Sequence, residues 1–532
     1  MAELVVGPLL RYVDDRSATV WVETDRPCTV EVLGHRTHTF TVHGHHYALV
    51  EITGLSPGES VPYTVSLDGE VVWPEPGSQW PVSRIRTFAP GRPLRLLFGS
   101  CRRADPRDDI HNRLLGVDML WAYAHHLAAT PEAEWPAALL LLGDQVYADI
   151  PPEPVKEFIR ARRDVSQPPG EELADFEEYA FLYRTAWSDP AVRWLLSTLP
   201  TAMIFDDHDL RDDWNTSDVW QRQMREQPWW RERVTAGLGA YWIYQHLGNL
   251  SPHELASDST YQSVRAFEGD AGAAVDKFAL RADEEPASVR WSFHRDFGAI
   301  RLVMLDSRCA RVLTPGQRAM VHPSDWEWFD SVARGDFDHL LIGTSLPYLL
   351  PASIHALERW NEVVSEGRWG RWAAWAGERL RQSIDLEHWA AFGRSFDDMA
   401  RLVRELATGQ RGATPATIQF LSGDVHFNYL ARTELPGVYQ VVCSPIRHPL
   451  TPVLRYANVV AAWRAVGYVT RTLARLARVP KPPLRWWLDR KPWFDNALAS
   501  LDLDGRSATL RWFTARHTAP ERLEVVREVA LS

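Results

Sequence analysis

Cysteine is scarce in this sequence, with four residues in a chain of 532: Cys28, Cys101, Cys309 and Cys443. No two of them form a Cys-x-x-Cys pair, which argues against a zinc ribbon or a dithiol redox motif. So low a cysteine content also argues against a fold held by a disulfide framework.

Basic residues are fewer than acidic ones. The chain has 58 Lys and Arg against 69 Asp and Glu, and its formal net charge is -11. A protein that grips nucleic acid through phosphate contacts needs a basic face, so we expect no nucleic-acid partner. An acidic protein still binds a phosphate ester where metal ions supply the local positive charge.

Long apolar runs are missing. No stretch of eighteen apolar residues occurs, so we expect no transmembrane segment. The sequence starts MAELVVGPLLRYVDD, without the basic region, apolar core or twin arginine of an export signal. We therefore expect the protein in the cytoplasm. The oligomeric state is left open by the sequence.

What is present is ordinary for a globular protein: 45% hydrophobic and 24% charged residues. The length predicts at least two domains. Residues 1–92 contain short alternating runs such as ATVWVET and CTVEVLG, which predict an N-terminal β-sandwich domain. A Pro-Gly turn before Tyr63 is typical of the late strands of a fibronectin-type sandwich. The segment FAPGRPLR predicts the linker that follows.

Residues 93–532 predict a second domain, of α/β architecture. Apolar runs without alternation indicate strands buried on both faces, and helical patterns separate them, with helical insertions at 151–190, 215–290 and 355–408. In such sheets, ligands collect at the carboxyl ends of the strands. Near the C-terminus, ALASLDLDGRSATLRWFTA predicts a hairpin with Asp-Gly at its turn.

Four predicted strand ends carry polar chemistry: FGSC, LLGDQVYAD, FDDHD and LSGDVHF. Singly, each has an ordinary explanation: Cys101 as a buried apolar thiol, Asp144 as a helix cap, His208 as a core histidine. Together they place several carboxylates at one sheet edge. Because buried carboxylates are costly unless paired or bound to a cation, the set predicts a pair of metal ions.

The motifs GSC, GDQVY, DDHD and GDVH occur in this order, and the order resembles that of the alkaline phosphatase D (PhoD-like) family of calcineurin-like metallophosphoesterases. LDSRCAR is similar to that family's LDxRxxR segment, and EHWAAF to its tryptophan segment. The resemblance covers roughly residues 1–450. It implies a metallophosphoesterase β-sandwich core flanked by helices and preceded by a small all-β, fibronectin-like domain.

For the first metal, the resemblance implies that Asp144 bridges two ions and that Cys101, Tyr147 and His426 complete the site. Thiolate and phenolate are anionic donors, and together they suit ferric iron.

For the second metal, the resemblance implies Asp207 as a ligand, with Asp424 beside it. Oxygen ligands fit calcium, magnesium or manganese. His208 is expected near the leaving oxygen as a general acid or charge stabiliser. Arg308 is expected to clamp the phosphate, since guanidinium matches its oxygens. Arg447 is a further candidate, although most arginines in so arginine-rich a chain lie on the surface.

The implied reaction is metal-dependent hydrolysis of a small-molecule phosphate ester. Two cations share the phosphate oxygens and lower the pKa of a bound water, and the metal-bound hydroxide attacks phosphorus. The choice between phosphomonoesterase and phosphodiesterase stays open. A binding protein on a degenerate, inactive metallophosphatase scaffold is the alternative, but the retained ligand set argues against decay.

Two parts of the sequence depart from the family pattern. A histidine ligand is expected at the end of the HLLIGTSLPY strand, where Thr344 and Ser345 stand instead. The substitute ligands we consider are three carboxylates: Asp149, Asp209 and Asp213. Residues 453–492 match no motif; their basic, aromatic character suits an anionic membrane surface, although a helical flap packed on the catalytic domain is the favoured interpretation.

Overall fold

The computed structural model describes residues 1–450 and 464–532. All of residues 1–92 are described, and they contain strands but no helix. The strands are β1 (Leu4–Val13), β2 (Ala18–Thr24), β3 (Thr29–Val32), β4 (His35–His38), β5 (Phe40–Val42), β6 (His45–Ile52), β7 (Ser60–Pro62), β8 (Val65–Leu67), β9 (Glu70–Trp73) and β10 (Arg84–Arg86).

These strands form an all-β sandwich, as predicted. Two four-stranded sheets, β1-β2-β6-β5 and β4-β3-β8-β9, lie beside the short pair β10-β7. Alternate residues such as Val20, Val22, Val30 and Val50 point into a common buried cluster that belongs to this region alone. The alternation of apolar residues along these strands therefore predicts which side chains pack between the two sheets.

The remaining strands are β11 (Leu94–Gly99), β12 (Ala138–Leu142), β13 (Thr201–Ile204), β14 (Phe293–Phe297), β15 (Ile300–Met304), β16 (His339–Gly343), β17 (Thr417–Ser422), β18 (Tyr429–Thr433), β19 (Val438–Val442), β20 (Trp486–Leu488), β21 (Leu498–Asp504), β22 (Ser507–Arg516) and β23 (Ala519–Ala530). Two sheets result, with strand orders β13-β12-β11-β21-β22-β23 and β14-β15-β16-β17-β19-β18-β20. In the first, β11, β12 and β13 are parallel; in the second, β15, β16, β17 and β19 are parallel.

The two sheets pack face to face. Leu140 and Leu142 of β12 share a buried cluster with Met304 of β15, Leu341 of β16 and Leu421 of β17. Every residue of β12 is buried, as expected for a strand covered on both faces. The predicted α/β sandwich core is therefore confirmed, and the carboxyl ends of both parallel sets come to one edge of it.

Helices cover the outer faces: α1 (Asp109–Leu115), α2 (Met119–Ala128), α3 (Glu153–Arg162), α4 (Phe176–Trp187), α5 (Pro190–Thr198), α6 (Asp218–Arg225), α7 (Trp230–Tyr241), α8 (Pro252–Ser257), α9 (Ser259–Arg265), α10 (Gly272–Glu284), α11 (Pro323–Val332), α12 (Ala352–Ser365), α13 (Arg371–Ser383), α14 (Gly393–Ala407) and α15 (Arg464–Leu476). Those of 151–190 and 215–290 pack with the first sheet in one large cluster. Helices α11 and α14 share a separate cluster with β16 and β17.

The predicted C-terminal hairpin is present as β21 and β22, with Gly505 in its turn at a φ of 54°. It also has a role that the sequence did not indicate, because β21 pairs antiparallel with β11 and completes the first sheet. Of the stretch 453–492, residues 453–463 lie outside the described residues. Within the described ranges, no helix combines the length and apolarity needed to cross a bilayer.

Candidate metal centre

The centre lies where the two sheets meet at their carboxyl ends. Cys101 follows β11, Asp144 follows β12, and the pair Asp206 and Asp207 follows β13. Because these three strands are parallel neighbours, their ends fall side by side. The second sheet contributes the residues after β17, and the backbone N–H of Asp424 lies 3.2 Å from Oγ of Ser100 across the gap.

Close approach at this gap depends on glycine. A Cβ on Gly423 would lie 1.8 Å from Oγ of Ser100, which no side chain tolerates. The neighbouring backbone is strained as well, since Cys101, Asp424 and His426 have φ values of 59°, 62° and 54°. Non-glycine residues in this left-handed region cost free energy, and such conformations cluster at functional sites.

A first group of ligand atoms comes from Cys101, Asp144 and His426. One donor atom of each lies within 4.8 Å of the others. Cys101 and Asp144 are 0% and 1% exposed. Burial, then the charges of Asp144 and Asp424, raise the pKa of the Cys101 thiol well above its ordinary value. In the protein alone the thiolate is therefore disfavoured, and a cation at this position would reverse that preference.

A second group consists of Asp144, Asp206 and Asp207, whose carboxylate atoms also lie within 4.8 Å of one another. Burial raises the pKa of Asp207 to about 7, and it raises the pKa values of Asp144 and Asp206 well above the ordinary range. Three buried carboxylates this close repel one another unless a cation lies between them. Asp144 belongs to both groups, which is the position expected of a bridging ligand.

Several buried polar atoms at the centre have no hydrogen-bond partner in the protein: Asp144 Oδ1, Asp206 Oδ2 and Tyr147 Oη. Buried polar atoms are normally paired, so unpaired atoms that converge on one point call for a ligand. Burial, then the charges of Asp144 and Cys101, raise the pKa of the Tyr147 phenol well above its usual value. A thiol, a phenol, an imidazole and three carboxylates are together a donor set that fits a pair of metal ions.

His208 lies at the rim of the centre and is held by carboxylates. Its Nδ1 is 2.9 Å from both carboxylate oxygens of Asp149, and its Nε2 is 3.8 Å from Oδ1 of Asp212. Burial alone would lower the pKa of His208, but the charge of Asp149 raises it well above the ordinary value. The imidazole therefore holds a proton in a fixed orientation.

Asp424 makes a different set of contacts from the other predicted ligands. Its Oδ2 lies 3.1 Å from Nε2 of His388, and Nδ1 of His388 lies 2.8 Å from Oε1 of Glu358 on α12. Burial would raise the pKa of Asp424, yet the bond and charge of His388 bring it down to about 2. Asp424 is thus at the centre but paired with a histidine.

Arg308 is fully buried behind the second group. Its Nε lies 2.9 Å from Oδ1 of Asp206, and its two terminal nitrogens lie 2.6 and 2.7 Å from the Glu387 carboxylate. A further bond of 3.3 Å goes to the carbonyl of Trp214. The guanidinium is occupied by protein groups on every side.

The other candidates of the sequence have structural partners. Asp149 binds His208, and Asp209 accepts from the backbone N–H groups of Gln145 and Val146, which shapes the loop that carries Asp144. Arg447 is buried and donates to the carbonyls of Asp105 and Pro106.

Two further candidates keep an unpaired buried oxygen, Oγ1 of Thr344 and Oδ1 of Asp213. The backbone N–H of Asp213 lies 2.9 Å from Oδ2 of Asp207. Ser345 pairs with Ser307, at 3.0 Å between their hydroxyls.

Four residues at the centre were given no role from the sequence: Asp206, Glu387, His388 and His448. The ring of His448 lies 4.7 Å from that of Tyr147 and 4.4 Å from that of His426, and its Nδ1 is buried without a partner. Asp206 was visible within FDDHD, and Glu387 with His388 within EHWAAF. For His448, in SPIRHPL, the sequence offered no signal.

Comparisons with known proteins identify the family and the fold. A family model described as PhoD-like phosphatase matches residues 120–447, and one described as a domain of unknown function (DUF7800) matches residues 1–85. The solved structure of PhoD is 12% identical with a TM-score of 0.58, over 99% of this chain and 93% of that one.

A purple acid phosphatase from yellow lupin (Lupinus luteus) seeds is 10% identical with a TM-score of 0.49, over 99% of this chain and 74% of that one. No curated protein matches. At these identities the likeness to PhoD concerns the fold, and the family model carries the assignment.

Proposed function

The chain belongs to the PhoD-like phosphatase family, whose model spans residues 120–447, and from that premise we propose that the centre described above is where it hydrolyses phosphate esters with the help of metal ions. The observation that carries this proposal is that Asp144, the residue shared by both ligand groups, keeps a buried unpaired oxygen, as Asp206 and Tyr147 also do. Substrates are small-molecule phosphate esters, and the screen below decides between monoesters and diesters.

For the first metal we propose Cys101, Asp144, Tyr147 and His426 as ligands. Their thiolate, phenolate, carboxylate and imidazole donors suit ferric iron, because the anionic donors neutralise its high charge. The unpaired Tyr147 oxygen and the mutual approach of the other three donors support the assignment.

For the second metal we propose Asp144, Asp206 and Asp207 as ligands. Asp424 lies beside them, and its carboxylate is positioned by the hydrogen bond from His388. An all-oxygen set suits calcium, magnesium or manganese. Asp206 is added to the set expected from the sequence because its Oδ2 is buried and unpaired. When bound, the two ions would neutralise charge on the phosphate and lower the pKa of water.

The protein's own groups then position the reactants. We assign His208 as the general acid, because Asp149 orients its imidazole from Nδ1 and stabilises the protonated form, which leaves Nε2 to donate to the departing alcohol. Arg308 has no free face for a phosphate. Its bonds to Asp206 and Glu387 make it a positioning residue that fixes the second ligand group from behind.

We also propose residues 1–92 and 93–532 as separate domains. The support is a buried cluster made only of residues of the N-terminal sandwich, and the break between β10 and β11. Other buried residues of the sandwich, such as Trp21 and Tyr47, pack with the helices of the second domain. Side chains nevertheless join the two, as in the bond from Tyr63 Oη to the carbonyl of Ser197, at 2.6 Å.

The test is a hydrolysis screen with metal-stripped protein reloaded with iron plus calcium, magnesium or manganese. Nitrophenyl phosphate reports monoesterase activity and bis-nitrophenyl phosphate reports diesterase activity. We expect turnover that requires reloading and is lost in Asp144→Asn. Protein that binds metal stoichiometrically and hydrolyses neither ester, nor any of a panel of natural phosphate esters, would contradict the proposal and favour a binding role.

A further inference from the structure

Exposed tryptophan is concentrated in one part of the molecule. In residues 1–450 and 464–532, four tryptophans are exposed: Trp369 at 42%, Trp372 at 87%, Trp375 at 59% and Trp487 at 52%. The first three lie at or in α13, which packs against α12. Trp487 follows Trp486, whose ring lies 4.8 Å from that of His355 on α12. Exposed aromatic groups gathered around one helix are a candidate interaction surface.

Helix α13 separates its two faces clearly. Arg371, Trp372, Trp375 and Arg379 are exposed and recur at intervals that place them along one side of a helix. Buried Gly377 lies on the opposite side. The guanidinium of Arg379 sits 5.0 Å above the ring of Trp375. The outward face of α13 therefore consists of aromatic rings interleaved with arginines.

Helix α15 repeats this arrangement on the same support. It also packs against α12. Its buried residues Gly467, Thr470 and Ala474 follow a helical spacing, whereas Tyr468 and Leu476 are 67% and 66% exposed. Val469 is 55% exposed as well. An outward face with apolar groups is unusual for a helix whose other side is already packed.

The arginines on these faces form no ion pairs with the described residues. The exposed arginines Arg368, Arg371, Arg379, Arg471 and Arg475 have no carboxylate within ion-pair distance among the described residues, although most arginines of this chain are paired. The nearby acids are engaged internally: Glu378 with Arg381 at 2.8 Å, and Glu366 with the backbone N–H of Gly316 at 3.1 Å. A chain of net charge -11 thus presents a local cationic surface.

We propose that the outward faces of α13 and α15 form a docking surface for an anionic lipid bilayer. Tryptophan and tyrosine partition into the headgroup region, and leucine and valine enter the acyl boundary. Arginines in the same faces meet the anionic headgroups. A nucleic-acid backbone would satisfy the arginines but offer nothing to Leu476 or Val469. This docking goes beyond ester hydrolysis, because it would place the enzyme at a membrane surface.

The test is sedimentation of the full-length protein with vesicles of phosphatidylcholine alone or mixed with phosphatidylglycerol. We expect binding to the mixed vesicles that weakens as salt is raised. Arg371→Gln with Arg379→Gln should lower partitioning about fivefold per arginine. Trp372→Ala with Trp375→Ala should lower it as well. Ile110→Ala with Leu114→Ala, at positions 68% and 69% exposed on α1, is the matched control and should bind normally.

Each variant is also assayed for nitrophenyl phosphate turnover, which should stay at the level of the unmodified protein and shows that the fold is intact. Because vesicle binding is scored without activity, its failure is distinguishable from failure of the proposed function. Absence of binding to the anionic vesicles would overturn the proposal. So would equal binding by both double variants, or light scattering that shows a dimer which the tryptophan variant dissociates.

Discussion

Arg308 and Glu387 form a bidentate ion pair in which the guanidinium is 0% and the carboxylate 4% exposed. Its two bonds, at 2.6 and 2.7 Å, lie directly behind the Asp206 side chain to which Arg308 also donates. The pair therefore ties the EHWAAF segment to the carboxylates after β13. Substitution of either partner should therefore change both the free energy of unfolding and the position of the Asp206 carboxylate.

Glu387→Ala should lower the free energy of unfolding by about 3–5 kcal/mol, because it leaves a buried arginine without its main partner. Urea denaturation of the purified protein measures this. Glu521→Ala, at an exposed position, is the control and should change stability by no more than about 0.5 kcal/mol. Equal stability of the two variants would mean that Arg308 finds full compensation elsewhere.

Asp144→Asn should remove activity and most of the bound metal together, since Asp144 belongs to both ligand groups. His208→Ala should keep its metal and lose about a hundredfold to ten-thousandfold in kcat, because only proton donation is removed. Elemental analysis and turnover on both variants separate the two roles. A His208→Ala protein depleted of metal would contradict the assignment of His208 as a general acid.

Cys101→Ser should weaken iron binding by about tenfold or more, because serine does not replace a thiolate donor. Iron per chain and turnover are the readouts. Cys443→Ser is the matched control, since Cys443 is equally buried but lies outside both ligand groups. Normal iron content in Cys101→Ser would leave the thiol with a structural role alone.

The iron-loaded protein should be coloured, because a Tyr147 phenolate bound to ferric iron absorbs visible light by charge transfer. Tyr147→Phe should lose this band while iron per chain is partly retained through Cys101, Asp144 and His426. Absorption spectra normalised to iron content test this. A colourless, fully active protein that holds only zinc or manganese would show the assignment to be wrong.

The contact between the N-terminal sandwich and the helical insertions should weaken as pH rises. His43 Nε2 lies 2.8 Å from Asp276 on α10, and His45 Nε2 lies 2.8 Å from Glu177 on α4. The bond to Asp276 raises the pKa of His43; burial would lower the pKa of His45, but Glu23 and Glu177 raise it above 6.5.

A histidine with a raised folded-state pKa stabilises the protein fully below pH 6.5, and the stabilisation is lost as pH rises through the folded-state value. At these partly exposed sites we expect about 0.2–1 kcal/mol per pair. Between about pH 6 and pH 8, the melting temperature should therefore fall less in the double variant His43→Gln with His45→Gln than in the unmodified protein. Parallel curves for the two proteins would exclude a contribution from these pairs.

Much of the centre was predictable because its residues follow strands directly. Cys101, Asp144 and Asp206 each stand two residues after the end of a strand, and parallel neighbours bring such ends together whatever the loops do. The fold class followed from the same alternation of buried strands and helices. The roles of the individual ligands stay predictions.

What the sequence did not reveal depends on contacts between loops that are separated in sequence. His388 reaches Asp424 from a segment between α13 and α14, and His448 reaches Tyr147 across the sheet edge. No periodicity connects such pairs. Within FDDHD, the sequence alone does not indicate whether Asp206 or Asp207 reaches the centre. In the structure both side chains point inward, because of a single 3-10 turn at Asp207–Asp209.

The pairing of β21 with β11 has a consequence for how the protein is made. Arg95 of β11 and Asp502 of β21 are ion-paired across 407 positions of sequence. During synthesis, the strand that leads to Cys101 emerges before Leu498–Asp504 and keeps one open edge until that segment has left the ribosome. Until then that edge is available to other chains. The metal centre is thus assembled on a sheet whose first strand waits for a partner strand made 407 positions later.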